Sequence, residues 1–328
     1  MTCLGPRFLS SVLSLGALLL PLLSQPRTPD GHPDLQGTWT NVTLTSVERP
    51  DVFAGKSTVS ESEARAYEKK ELETNNIDRD DAPILKAING DNAVAGYNNL
   101  FIDRGSELAR VDGVKRTSLI VDPPDGKIPA LTESARKDRR EQFERYDDIH
   151  DRPLPERCLL GFSSTGGPPM LPALYNNNYQ IVQTPDHIMI LVEMVHDVRI
   201  IRMNAQHRPS SVRQWLGDSI GHWEGDTLVV DTTNFGDQNI LFEDVAGLPS
   251  RSARNLHIIE RFKRVDANTI LYRATIDDPT TFTRQWTVEF PFLATPGPVF
   301  EYACHEGNYA MTDILGGARK SEGEVVKK

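Results

Sequence analysis

From Tyr175 to about Gly317 the chain is a succession of short apolar runs separated by polar turn sequences. The runs are NYQIVQ, HIMILVEMVHDVRIIRM, WEGDTLVVDTTNF, NLHIIERFKRV, NTILYRATID, FTRQWTVEF and VFEYACHE. They are rich in β-branched and aromatic residues, which suit strands. The sequences EGD, VDANT and DDPTT fall where hairpin turns belong. Strands with no long helix between them predict an antiparallel meander, closed as a barrel-like core of calycin or lipocalin type or folded as a sandwich. The fold class is therefore mainly β.

Upstream, Asp34 to Leu44 reads as one more strand, with Trp39 as its buried anchor, and it completes the core. Ser60 and Glu63 form a capping box ahead of EARAYEKKELE, and Thr132 caps TESARKDRREQFERY. These two charged helices are expected on the flank of the core. NNLFID and RTSLIV read as short strands, the second halted by DPPDGKIP. A Pro/Gly-rich connector from Asp151 to Pro172 carries Cys158. The division is thus a leader at 1–24, a strand with helical and loop wrapping at 25–174, the β core at 175–317 and a polar tail at 318–328.

The leader is the one long apolar run, Phe8 to Ser24, preceded by Arg7 and followed by QPRTPDGHPD. It is short for a membrane span and Pro21 interrupts it, so it reads as a secretory signal peptide of a secreted or periplasmic protein, with no membrane contact after cleavage and with a retained N-terminal anchor as the alternative. Removing it takes Cys3 and leaves Cys158 and Cys304. In an oxidising compartment an even pair predicts one disulfide, with two buried free thiols as the alternative. A single pair excludes a Cys-rich zinc site. With 36 Lys and Arg against 46 Asp and Glu, the net charge of -10 repels phosphate backbones, so nucleic acid is not an expected partner.

The strings RTSLIVDPPDGKIP, YNNNYQIVQTPDH, RQWLGDSIGHWEGDTLVVDTTNF, NLHIIERF and EYACHEGNY resemble those of an uncharacterised family of predicted secreted bacterial proteins. The resemblance spans most of the mature chain. It implies a secreted, single-unit protein and brings no activity, cofactor or catalytic residue.

No G-x-S-x-G elbow, P-loop, dinucleotide fingerprint, H-E-x-x-H or EF-hand loop is present. Candidate chemistry therefore comes from alternation along strands. Read as one strand, ILVEMVHDVRII places Glu193, Asp197 and Arg199 on one face, an acid, a base and an anion clamp if that face lines a cleft and a solvated face if it does not. His196 falls on the opposite, apolar face and reads as a hydrogen-bonded core residue. His222, Trp223 and Glu224 stand at a hairpin entrance, as a turn or as a platform for a sugar or aromatic ligand. In NLHIIERF, His257, Ile259 and Arg261 oppose Leu256, Ile258, Glu260 and Phe262, so buried polarity is required if both faces are covered. In FEYACHEGNY, Glu301 and His305 share one side, and Tyr302, Cys304 and Glu306 share the other.

Histidines 196, 222, 257 and 305 make an acid–base centre, a metal site or separate structural residues, and spacing leaves all three open. No cofactor is the expectation, with a histidine-bound divalent metal as the alternative. A meander carrying Glu193, Arg199, Asp231, His257, Arg273 and His305 holds more charge than a lipid lumen tolerates. The expected function is a hydrolase or lyase on a polar organic or glycosidic small molecule, with His305, His257, His222, Glu193 and Arg199 catalytic and Trp223, Glu224, Asp197 and Tyr302 binding the ligand. The competing function is a non-catalytic lipocalin-like carrier, and oligomeric state is left open.

Overall fold

The structure, a computed structural model, describes residues 25–76, 78, 99–137, 149, 154–161, 167–236 and 253–325. The leader at 1–24 lies outside the described residues, as does most of the second charged helix, of which 133–137 is seen as helix. Among the described residues no helix is long and apolar enough to cross a membrane.

Nine strands close into a barrel. They are β1 (Gly37–Thr40), β6 (Asn178–Gln183), β7 (His187–Val192), β8 (Val198–Met203), β9 (Asp218–Glu224), β10 (Thr227–Thr233), β11 (His257–Arg264), β12 (Thr269–Asp277) and β13 (Trp286–Ala294). They neighbour one another in that order, and β1 closes the ring by pairing with both β6 and β13. Trp39 stands opposite Tyr179 on one side and Ala294 on the other, so the strand expected to complete the core is the closing stave. β5 (Ile120–Asp122) adds to the outside of β13, and β2 (Thr58–Val59), β3 (Arg110–Val111) and β4 (Val114–Arg116) form a small separate sheet. Helix α1 (Glu61–Thr74) begins with the expected capping box, in which Ser60 Oγ accepts from the Glu63 amide and the Glu63 carboxylate accepts from the Ser60 amide.

Every barrel pair is antiparallel except β8 with β9, where Ile201 aligns with Ser219 in parallel. A parallel neighbour needs a crossover, and residues 204–217 supply it. Its last residue is Gly217 at φ +72, where a Cβ would sit 2.7 Å from Thr232 Cγ2 and 2.8 Å from the Thr233 carbonyl oxygen. Only glycine fits that combination of backbone and space.

Several sequence expectations change. ILVEMVHDVRII is a hairpin: β7 stops at Val192, a 3-10 turn covers Met194–His196, and Val195 and His196 take left-handed φ values of 64 and 56. The faces drawn across it therefore break, with Val192 buried and Val198 exposed. VFEYACHE forms no strand. It runs irregularly into a turn at 304–307 and then into α2 (Ala310–Val325), which also takes up most of the segment expected as a polar tail. NNLFID contains a 3-10 turn at Asn99–Phe101 in place of a strand.

Inward positions of the barrel alternate as the period of two requires, and they pack tightly. Tyr179, Phe262, Tyr272, Phe290 and Phe292 form a continuous aromatic cluster, with Tyr272 5.0 Å from Phe262 and 5.1 Å from both Phe290 and Phe292 between ring centroids. Full burial of each such ring contributes about 2 kcal/mol. The Cys158–Cys304 disulfide, 146 residues apart in sequence, ties the connector to the segment after β13.

Candidate functional site

Strands β8 to β11 carry polar side chains on both faces. Inward, Arg199 meets Glu260 as a bidentate pair, Nη1 lying 2.8 Å from Oε1 and Nη2 bonding Oε2. Arg199 Nε and Nη2 donate to Ser219 Oγ at 3.2 and 3.1 Å, Nη2 also reaches Thr232 Oγ1 at 3.0 Å, and Tyr272 Oη donates to Glu260 Oε1 at 2.9 Å. Both charges are out of water, at 2% and 0% exposure. This is the buried polarity that the NLHIIERF pattern required, on the Glu260 face.

Outward, four titratable side chains form one chain of hydrogen bonds. His207, from the crossover, has Nδ1 3.1 Å from Asp218 Oδ2 and Nε2 3.0 Å from Asp231 Oδ1. The same Asp231 oxygen receives His257 Nε2 at 3.0 Å. At the far end Asp218, buried at the start of β9, accepts from Arg202 Nη2 at 2.9 Å and from the Arg208 amide at 2.8 Å. The topology explains the convergence: Asp231 lies on an outward position of β10, between β9 and β11, where Asp218 and His257 each open their strand.

The two histidines differ. His207 has both nitrogens held against carboxylate oxygens. His257 commits Nε2 alone, and its Nδ1 has no hydrogen bond among the described residues. Its side chain is 40% exposed. The hydrogen bond to Asp231 raises the His257 pKa above the ordinary imidazole value. Burial opposes this, and the charges of Asp231 and Asp277 add to it. Burial pushes Asp231 up, but the hydrogen bonds and charges of His257 and His207 prevail and hold it below the usual carboxylate range. Asp218 is likewise low, because the Arg208 amide, His207 and Arg202 outweigh its burial.

Beside this chain a cleft of about 690 Å³ opens over β8, β9 and the crossover, and Arg202, Arg208 and Asp218 belong to both. Its walls include the exposed apolar side chains of Val198, Ile200 and Trp215. Asp197 lines it too, and burial raises its carboxyl pKa against the Val198 amide that donates to it.

The residues singled out in sequence scatter around this site. Glu193 lies in the β7–β8 turn, where its carboxylate accepts from Asn176 Nδ2 at 2.7 Å, Asn178 Nδ2 at 3.0 Å and the Phe300 amide at 3.1 Å. It is a fully engaged structural knot. Arg199 pairs with Glu260, not Glu193, and the face joining Glu193, Asp197 and Arg199 does not exist because the segment turns. His196, expected in the core, is exposed in that turn.

His222 is exposed and meets Glu224 at 3.3 Å, while Arg261 holds Glu224 at 2.7 Å and its hydrogen bond, followed by that of His222, lowers the Glu224 pKa. Trp223 offers no open platform, since His32 stacks on its ring at 4.6 Å and 4°. His305 stands exposed in the turn after β13, away from any strand, and Tyr302 packs against the core. Of the expected catalytic set only His257 joins the outer chain. Among the described residues no group of three or more His, Cys, Asp and Glu side chains is placed to hold a metal ion, and of histidines 196, 222, 257 and 305 only His222 and His257 lie on strands. Nothing in the sequence singles out His207, which sits in a loop with no local motif. Asp231 reads in sequence only as a strand charge. The one available signal was that Asp231 and His257 fall on outward positions of consecutive strands.

No protein-family model, curated protein or solved structure matches this chain.

Proposed function

We propose that this protein is a small-molecule enzyme, a hydrolase or lyase acting on a polar organic or glycosidic substrate, with His257 as the proton-transfer residue and Asp231 as its positioning partner. The observation that carries this reading is the uncommitted Nδ1 of His257 at the open end of a chain whose other imidazole is clamped at both nitrogens. Asp231 fixes the ring and favours its protonated form, so Nδ1–H is set to protonate a leaving group or a developing oxyanion. The neutral ring then takes a proton back from water or from a substrate carbon. His207 and Asp218 hold Asp231 in place. Arg208, at the cleft, is the partner for a negative substrate group.

Export belongs to the same reading: the leader sequence and a disulfide suit a secreted or periplasmic enzyme. The lipocalin-like carrier ranks behind, because the aromatic cluster and the Arg199–Glu260 pair occupy the barrel interior that a lipid would need. The test is a screen of the mature protein against chromogenic esters, glycosides and uronides, followed by His257→Gln and Asp231→Asn on whatever turns over. A loss of about a hundredfold or more in kcat with the fold intact is the size expected for a general acid or base. Full turnover by His257→Gln refutes the assignment.

A further inference from the structure

A second cleft of about 590 Å³ is lined by residues of the 49–57 turn, the β4–β5 segment and the 124–127 loop. It shares no residue with the His257 chain or its cleft. Arg49 forms part of its lining at 5% exposure. Its guanidinium donates from Nε to Thr117 Oγ1 at 3.1 Å, from Nη1 to the Pro124 carbonyl at 2.9 Å and from Nη2 to Ser118 Oγ at 3.5 Å. All three acceptors are neutral, and among the described residues no carboxylate forms an ion pair with it. The contrast with Arg199 is direct, since that buried guanidinium has Glu260. Taking a cation out of water without an anion is costly, and a guanidinium has five N–H donors to satisfy.

The surroundings add positive charge to the same cleft. Arg116 lines it, and its buried Nε has no hydrogen-bond partner. Among the described residues the one carboxylate Arg116 reaches, Glu289 at 3.5 Å, is shared with Arg273 at 3.1 Å. Lys127 also lines it and is matched only loosely by the fully exposed Asp51 at 3.6 Å. Asp125 is the other acid of the lining. The backbone is shaped around the guanidinium: Gly126 has φ +71, and a Cβ there would stand 2.9 Å from Arg49 Cζ and 2.6 Å from Ser118 Oγ. Any other residue would push Arg49 or Ser118 out of place.

We infer that this cleft is a binding site for an oxyanion, the carboxylate or phosphate group of a small polar molecule, with Arg49 at its base and Arg116 and Lys127 at its sides. A planar guanidinium suits either group as a bidentate partner, and the anion supplies the counter-charge that the chain does not. The surrounding protein carries a net charge of -10, so a local surplus of cations is a specific feature and not a general field.

The experiment is titration calorimetry and thermal unfolding of the mature protein with inorganic phosphate and with acetate, against chloride at matched ionic strength. The inference predicts saturable binding of phosphate, acetate or both, a rise of several degrees in Tm, and no such effect from chloride. Binding of one anion alone fixes which group the site takes. Arg116→Gln and Lys127→Gln, at the sides of the cleft, should each weaken the affinity about tenfold while the protein stays folded. Arg49→Gln should abolish it; if that variant does not fold, the other two decide. No saturable binding of either anion, or binding unchanged in Arg116→Gln and Lys127→Gln, overturns the inference. Loss of turnover in His257→Gln tests a different site and moves neither result.

Discussion

Strands β8 to β12 and the crossover between β8 and β9 build one polar cluster on the inner face of the barrel and another on its outer face. Inside, Arg199, Glu260, Tyr272, Ser219 and Thr232 bond to one another out of water. Outside, Asp218, His207, Asp231 and His257 form a chain that is anchored by Arg202 at one end and open at the other. The two clusters separate scaffold from chemistry. A network that closes on itself in low dielectric fixes geometry and has no proton to give away, whereas one that ends on a half-exposed imidazole has both a tuned group and access to it.

The inner cluster is the more costly of the two to disturb. Removing one partner by Arg199→Met leaves Glu260 charged and buried, and we expect a loss of about 3–5 kcal/mol in denaturant unfolding. The double variant Arg199→Met/Glu260→Leu should recover most of it, because no unpaired charge remains. Turnover per folded molecule should be retained in both. A single variant as stable as the parent would mean that water reaches the pair.

A smaller effect is expected outside. His207→Gln removes a ring that bridges two carboxylates, and about 1–3 kcal/mol of stability should go with it. The His257 ring should remain, with its pKa altered because Asp231 is no longer shared. Equal titration of His257 before and after the change would show that the chain does not transmit its charge.

The smallest effect is the pH dependence. His257 is raised in the fold, so its contribution is complete below the unfolded value of about 6.5 and is lost as pH climbs through the folded one. Asp231 and Asp218 are lowered, so theirs is present above about pH 4 and is lost as pH falls through their folded values. Stability should therefore be greatest on the acid side of neutrality. Asp231→Asn should flatten the alkaline decline; an identical profile in that variant would detach the decline from His257.

Much of the barrel is legible in sequence, because strand burial has a period of two and the turns EGD and VDANT carry the right residues. The closing strand is legible from Trp39, and α1 from Ser60 and Glu63. The β7–β8 turn is not, since its left-handed residues are Val195 and His196, with no Gly, Pro or Asn beside them to mark a break in a segment of strand-like composition. VFEYACHE has strand composition, but the segment is tied by the disulfide and by the Phe300–Glu193 hydrogen bond instead of a ladder. The outer chain joins residues 207, 218, 231 and 257, and only the parallel β8–β9 pairing and the strand register bring them together. Neither leaves a local mark.

The most direct measurement is the titration of the histidine ring resonances by NMR in the parent protein and in Asp231→Asn, with His257→Gln to assign the signal. The account predicts that His257 titrates above the ordinary imidazole value of about 6.5 and drops when Asp231 loses its charge. A His257 that titrates at or below that value, and does not move in Asp231→Asn, contradicts it.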